Sequence, residues 1–178
     1  MLFGSRDGFA LTFDVERDPV LLCVDVFLGG LHLNTWDNAF YPPLLVKKLR
    51  DELTRFDTPA SPPPGFTSPA ESLRAAEAGR YEAAGAGAEL ARYAFLAWGE
   101  CTDDVSAFAF PDGDLVHLAC RVRDGGGPAW GTEPRRAPTV ATVSRTELLD
   151  TLGQGLIAAE RAWSARLTAA STPPSARA

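Results

Sequence analysis

Alternating apolar and polar residues mark the first strands of the chain. Residues 9–16 read Phe-Ala-Leu-Thr-Phe-Asp-Val-Glu, a period of two that is typical of a strand with one buried face. Residues 20–28 are almost continuously apolar, which predicts a central strand. Gly29-Gly30 then predicts a tight turn into a short return strand through Leu31 and Leu33. The first third of the chain is therefore predicted to be a β-meander.

A helix is predicted next. Pro42-Pro43 suits a first helical turn, where a missing backbone N–H costs nothing. Apolar residues then recur at helical spacing as far as Asp57: Leu44, Leu45, Leu49, Leu53 and Phe56. We expect this helix to cover one face of the sheet.

The middle of the chain carries weaker signals. Residues 57–69 are rich in Pro and Ser and predict an exposed connector. Residues 70–90 hold few large apolar groups and predict at best a weak helix. The apolar spacing from Leu90 to Trp98 predicts a further helix that ends near Gly99.

The last third of the chain predicts a hairpin, a strand and a helix. Alternating residues flank Pro111-Asp112-Gly113-Asp114, which predicts a β-hairpin, and residues 125–136 predict a loop before a strand over 139–143. Ser144-Arg145-Thr146-Glu147 has the form of a capping box at a helix start. The buried stripe of this helix is predicted to hold six residues: Leu148, Leu149, Leu152, Leu156, Ile157 and Trp163.

These elements predict an α+β fold. Strands in groups joined by short hairpins favour a largely antiparallel sheet, here of about six strands, with helices packed on one face. We expect a single domain over residues 1–168 and a disordered tail over 169–178, because the tail has no apolar stripe to bury.

Composition indicates a globular protein that folds without a disulfide or a metal. The chain has 178 residues, of which 46% are hydrophobic. Cys23, Cys101 and Cys120 are widely spaced and are predicted to be small core residues. No apolar run approaches the roughly 20 residues of a membrane span, and the first residues lack the order of a signal peptide, so we expect a cytoplasmic protein.

The charge distribution bears on partners. The net charge of -6 argues against binding to nucleic acid or to an anionic membrane, both of which need a basic surface. Residues 1–40 carry two Arg against six acids, and residues 100–114 carry five acids and no base. The acidity is therefore concentrated in two segments.

Few residues predict catalysis, so we expect no enzyme, no metal site and no cofactor. The two histidines, His32 and His117, fall on polar alternates of their strands and are predicted to be surface imidazoles. The sequence has no nucleophile elbow, no Cys-x-x-Cys, no His-x-x-x-His and no phosphate-binding glycine loop. Asp25, between two valines, is either paired with an arginine, at a strand end, or a buried acid with a shifted pKa.

Two segments are candidates for contacts with a partner. The acids Glu100, Asp103 and Asp104 are interpreted as solvated turn residues, as partner contacts, or as paired carboxylates of the kind used in glycoside hydrolysis. The aromatic run from Trp36 and Asp37 to Tyr41 either closes one end of the core or forms an exposed patch of the kind found at interfaces. We take Trp36, Asp37 and the three acids as candidate partner-binding residues.

Several stretches together resemble a known family. They are Met1-Leu2-Phe3-Gly4, residues 9–15, Gly29-Gly30, residues 92–104 (Arg-Tyr-Ala-Phe-Leu-Ala-Trp-Gly-Glu-Cys-Thr-Asp-Asp) and residues 108–114 (Phe-Ala-Phe-Pro-Asp-Gly-Asp). In these stretches the chain resembles the bacterial immunity proteins of the family numbered 42 in polymorphic toxin systems. Residues 57–89 depart from that pattern.

The resemblance implies a non-enzymatic α+β protein that binds and neutralises a cognate toxin in the cytoplasm. It carries no set of toxin contacts that can be transferred to this chain. An acidic surface is compatible with a basic toxin, because complementary charge speeds association. The alternative is a small regulatory or adaptor domain that binds a host protein or a small ligand; a deep apolar pocket lined by Asp25 or His117 would instead favour an enzyme.

Overall fold

The computed structural model describes residues 1–79, 90–123 and 137–171. In this part of the chain there are nine strands, three α-helices and one short 3-10 helix. In chain order they are β1 (Leu2–Gly4), β2 (Phe9–Asp14), β3 (Leu22–Leu28), β4 (Leu31–His32), β5 (Ala39–Phe40), α1 (Pro42–Phe56), α2 (Pro69–Gly79), β6 (Ala94–Phe95), the 3-10 helix (Glu100–Thr102), β7 (Val105–Asp112), β8 (Leu115–Val122), β9 (Thr139–Ser144) and α3 (Arg145–Ser171).

The first sheet is antiparallel and has β3 at its centre. Strands β1, β2, β3 and β4 are neighbours in that order, and β5 also pairs with β3. The predicted central strand and the turn at Gly29-Gly30 are confirmed, since Leu28 pairs with Leu31 across that turn. Both glycines have positive φ, 57° and 81°, which explains why the turn needs them.

The second sheet is also antiparallel, in the order β6, β7, β8, β9. Its centre is the predicted hairpin, in which Asp112 pairs with Leu115 around Gly113, whose φ is 59°. The capping box at the start of α3 is confirmed as well. The Ser144 N–H donates to the Glu147 carboxylate at 2.9 Å, and the Glu147 N–H donates to Ser144 Oγ at 3.1 Å.

One hydrophobic core joins the two sheets to α1 and α3. Alternate residues of β2 and β3 point into it, as their sequence pattern predicts. Phe95 of the second sheet lies 5.3 Å from Phe9 of the first and 6.4 Å from Trp98, measured between ring centroids. The three cysteines are buried and free, as predicted.

The predicted α+β class is confirmed, but its arrangement differs from the prediction. The described residues form two antiparallel sheets, and the helices do not all lie on one side. On β7, Ala107 and Ala109 face the main core, whereas Phe108 and Phe110 face a second cluster under Leu73 of α2. Helix α2 therefore covers the opposite face of the second sheet.

The predicted helix from Leu90 to Gly99 is wrong beyond residue 91: residues 90–91 are helical, and the chain turns at residues 92–93. Residues 94–95 instead form β6, in which Ala94 pairs with Phe108 and Phe95 with Ala107. Ala94 then packs against the α2 cluster and Phe95 faces the main core, a strand alternation. Spacings of three and four residues over so short a run fit a helix locally, but pairing with the edge of β7 decided the outcome.

The buried stripe of α3 departs from the prediction at Ile157, which is 51% exposed. Its place is taken by small residues, Gly155, Ala158 and Ala159, which are buried. A Cβ on Gly155 would lie 2.8 Å from Leu11 Cδ1, so a larger residue at this position would require the Leu11 side chain to shift. The prediction was wrong at Ile157 because it counted only large apolar residues toward the stripe and left out Gly155, Ala158 and Ala159.

Two segment predictions are also modified. The connector over 57–69 has no helix or strand before Pro69, yet Pro63 is buried and Phe66 lies 5.5 Å from the Phe110 ring, so the connector is not exposed throughout. Helix α3 continues past the predicted boundary at Thr168 to Ser171. The predicted loop over 125–136 and the rest of the predicted tail, residues 172–178, lie outside the described residues.

Candidate functional site

The loop between β4 and β5 presents Trp36 and Asp37 to solvent. Asp37 Oδ1 accepts the Ala39 N–H at 3.0 Å, and the Asn38 carbonyl accepts the Val24 N–H at 2.8 Å. Next along the chain, Phe40 is buried in the core. These bonds attach the loop to the central strand while leaving the Trp36 side chain 81% exposed.

A second loop, residues 96–102, is built around a buried tryptophan. Leu96 adopts a φ of 60°, which non-glycine residues rarely do, and its carbonyl accepts the Trp98 N–H at 2.8 Å. Thr102 Oγ1 accepts the same N–H at 3.1 Å and donates to the Gly99 carbonyl at 3.0 Å. The Trp98 side chain is thereby buried and Glu100 is turned outward.

The two loops lie against each other. The Phe40 and Trp98 rings are 6.3 Å apart between centroids, and a Cβ on Gly99 would lie 3.1 Å from Leu44 Cδ2. The Cys101 thiol contacts the Asp37 carboxylate; burial first, and then the Asp37 charge and hydrogen bond, raise the pKa of Cys101 to about 12.

This packing defines a surface that we name the acidic aromatic edge. It comprises Trp36, Asp37, Tyr41, Leu44, Glu100, Asp103 and Asp104. All seven are exposed, and Trp36, Tyr41 and Leu44 are the apolar ones. The structure therefore packs the loop that carries Trp36 and Asp37 against the loop that carries Glu100 and leads into Asp103 and Asp104.

Tyr41, which belongs to the aromatic run predicted either to close the core or to form a patch, is exposed, and Leu44 is exposed against the prediction. Leu44 was assigned to the buried stripe of α1, but the residues on that stripe are Leu45, Leu49 and Phe56. The sequence does carry a signal for this exposure. Lys48 and Asp51 follow Leu44 at four and seven residues, which places them on the same helical face. A stripe with those polar residues faces water.

A buried ion pair lies beneath the second loop. Arg55 Nη2 lies 2.7 Å from Glu52 Oε2, and both groups are largely buried. Burial raises the pKa of Glu52, and the Arg55 charge opposes this rise. The Arg55 guanidinium also donates to the Ala94 carbonyl and lies 4.4 Å from the Phe56 ring centroid, so α1 is tied to β6 where the loop begins.

The carboxylates of Glu100, on the second loop, and of Asp103 and Asp104, directly after it, have no basic partner among the described residues. Arg123 is the nearby base, but its guanidinium donates to the Asp103 carbonyl at 2.6 Å and its backbone N–H to the Asp104 carbonyl at 2.8 Å. The edge therefore carries four acids, with Arg123 at its border and Lys48 one helical turn after Leu44.

The other polar residues singled out in the sequence lie elsewhere. Asp25 is half-buried, 3.3 Å from His32 Nε2, and accepts a hydrogen bond from Asn38 Nδ2 at 2.6 Å rather than pairing with an arginine. His117 Nδ1 lies 2.9 Å from Thr142 Oγ1. Neither Asp25 nor His117 lines the apolar cleft of about 490 Å³ between β1 and α3, nor the cleft of about 410 Å³ between α1 and α3.

Metal-binding clusters and membrane-spanning helices are both absent from the described parts of the chain. Over residues 1–79, 90–123 and 137–171, no three His, Cys, Asp or Glu side chains are grouped so that they could hold a metal ion. In the same ranges no helix has the length and apolar character to cross a membrane.

Comparison with known proteins gives a likeness of fold. No protein-family model matches this chain, and no curated protein matches its sequence. Among solved structures, the chain is similar to CdiI from Burkholderia dolosa AUO158, with a TM-score of 0.59 and 15% sequence identity. The match covers 88% of this chain and 99% of the CdiI chain. At this identity the likeness concerns the fold.

Proposed function

We propose that this chain is an immunity-type protein that binds and neutralises a cognate bacterial toxin. The observation that carries the proposal is the likeness of fold to CdiI, a contact-dependent inhibition immunity protein, over nearly the whole of both chains. The resemblance of separate sequence stretches to the immunity family numbered 42 points to the same kind of function. Membership of that numbered family, and a cytoplasmic location, are part of the proposal.

Neutralisation by binding needs a surface rather than a catalytic centre. The acidic aromatic edge provides exposed apolar side chains together with charged ones, the composition that interfaces between proteins favour. We propose that the protein acts stoichiometrically and not as an enzyme, so that protection requires at least one copy for each toxin molecule.

The test is protection of a bacterial host. Each candidate toxin domain encoded beside this gene would be co-expressed with the chain, and growth and complex formation would be measured together. We expect one toxin to be lethal alone, harmless with the chain, and recovered with it as a stable complex. If no neighbouring toxin is neutralised or bound, the proposed function is wrong.

A second candidate function is a regulatory or adaptor domain that binds a small apolar ligand or a host protein. The observation that favours it is the cleft between β1 and α3, lined by Phe3, Val15, Ile157 and other largely apolar residues. Recovery of a housekeeping protein instead of a toxin, from cells in which no toxin gene adjoins this one, would favour this function.

A further inference from the structure

The acidic aromatic edge combines two properties that the folded chain alone does not require. Trp36 is 81% exposed and Tyr41 is 59% exposed, although both side chains could bury a large apolar area. An exposed Leu is ordinary, whereas two exposed aromatics five residues apart on one segment supply apolar area of the kind that interfaces favour. This apolar area is the first reason to assign a partner to the edge.

The loop that carries Trp36 is already held in place. Asp37, Asn38 and Phe40 attach it to β3 and to the core. The Asp37 contact with Cys101 attaches it to the second loop as well. A preformed aromatic anchor loses little conformational entropy when a partner covers it.

The charge of the edge selects the partner. The edge holds four acids, Asp37, Glu100, Asp103 and Asp104, against Arg123 at its border and Lys48 one helical turn after Leu44. A second copy of this chain would bring like charges together, which is costly at an interface. A basic protein surface gains attraction at long range and relieves the repulsion among these acids.

Resting on the proposed function, we propose that the acidic aromatic edge is the toxin-binding surface and that its partner is a basic, anion-binding face of the toxin. Trp36, with Tyr41 and Leu44, enters an apolar depression on that face. The acids form the rim and steer the encounter. Because a face that binds anionic substrates is basic by necessity, covering it would also block substrate access.

The far end of the β7–β8 hairpin supplies a matched control. Asp112 lies seven residues beyond Val105, and strands rise about 3.4 Å per residue, so Asp112 and Asp114 lie about 24 Å from the edge. This separation exceeds the screening length of about 8 Å at physiological salt. Two variants that each remove two charges, D103N/D104N and D112N/D114N, therefore differ in position and not in net charge.

The experiment measures association and dissociation rates with the toxin identified by the protection assay, over a range of salt concentrations. We expect W36A to weaken binding about tenfold or more, mainly through faster dissociation, because buried aromatic anchors dominate interface energies. L115A removes another exposed apolar side chain, on β8, and should leave affinity within about twofold. D103N/D104N should slow association at low salt and flatten its salt dependence, and D112N/D114N should change neither.

The outcomes separate this inference from the proposed function. If the toxin is neutralised but W36A binds like wild type and the two double variants behave alike, the interface lies elsewhere and only this inference fails. If wild type binds no toxin, the proposed function itself fails. Self-association of the chain that W36A abolishes, seen by sedimentation without toxin, would identify a second copy as the occupant and overturn the basic partner. Thermal melting of each variant confirms that the fold is kept.

Discussion

The β7–β8 hairpin carries acids at both ends, and the two ends are built differently. At the turn, Asp112 lies 3.7 Å from His117 Nε2 and Asp114 lies 3.8 Å from Arg145 Nη2. The turn is also tied to the connector, whose Ala60 carbonyl accepts the Gly113 N–H at 3.1 Å. At the open end, Glu100, Asp103 and Asp104 form no ion pair with described residues, although the loop beneath them is tightly packed.

This difference between the two ends of the hairpin shows that one acidic segment, residues 100–114, can serve two purposes. In the sequence, residues 100–114 form a single acidic block without a base. In the fold, bases from β8 and α3 reach the turn, whereas apolar residues from the Trp36 loop and α1 reach the open end. The acids at the turn belong to the structure of the monomer, and those at the open end are available to a partner.

The largest effect on stability is expected from replacing Trp98, which supports the loop at the open end of the hairpin. Trp98 is 1% exposed and contacts Phe40 and Phe95, so W98A should lower the free energy of unfolding by about 3–5 kcal/mol, the usual cost of removing a buried aromatic. F66A, at the half-buried ring beside the turn, serves as the control and should cost clearly less. Urea denaturation measures both. A loss below about 1 kcal/mol in W98A would mean that the second loop is not anchored by its tryptophan.

A smaller effect is the pH dependence of stability. Its sign is expected to be opposite for Glu52, under the open end, and Glu147, beside the turn. Burial raises the pKa of Glu52 under the open end, so its contribution to stability is present below the ordinary value of 4.5 and is lost as pH rises through the raised pKa. Hydrogen bonds from the Ser144 backbone and side chain lower the pKa of Glu147 beside the turn, so its contribution is present above 4.5 and is lost as pH falls.

Relative to wild type, E52Q should therefore gain stability as pH rises from acid to neutral, and E147Q should lose stability over the same range. Urea denaturation at a series of pH values gives both differences. If the stability differences of both variants from wild type changed in the same direction with pH, the contrast between the two ends of the hairpin would be contradicted.

The smallest effect is expected from the surface charges. Neutralising the open end in E100Q/D103N/D104N should leave the free energy of unfolding within about 1 kcal/mol of wild type and should not lower it at low salt, because only repulsion is removed. D112N/D114N should lower it slightly, since exposed ion pairs contribute about 0–1 kcal/mol. The measurement is denaturation at low and high salt. A folded state lost in the triple variant would place these acids in the structure of the monomer.

Much of the fold could be predicted from local pattern. The strand over residues 9–14, the Gly29-Gly30 turn, helix α1, the β7–β8 hairpin and the capping box were all predicted, because each depends on residues close in sequence. The candidate residues Trp36, Asp37, Glu100, Asp103 and Asp104 were predicted by residue type alone. Their role as partner contacts stays a prediction.

The sequence by itself determined the antiparallel strands, the α+β class and the sign of the surface charge, because side-chain periodicity and ionisation are local properties. Only the tertiary structure decided the rest. Residues 94–95 became a strand because the edge of β7 was open to pair with them, and Ile157 stays exposed because the small residues Gly155, Ala158 and Ala159 form the buried face of α3 there. Trp36 and Glu100, 64 positions apart, came to one edge because Phe40 and Trp98 share a core, and burial of apolar surface acts between neighbours in space, whatever their distance along the chain.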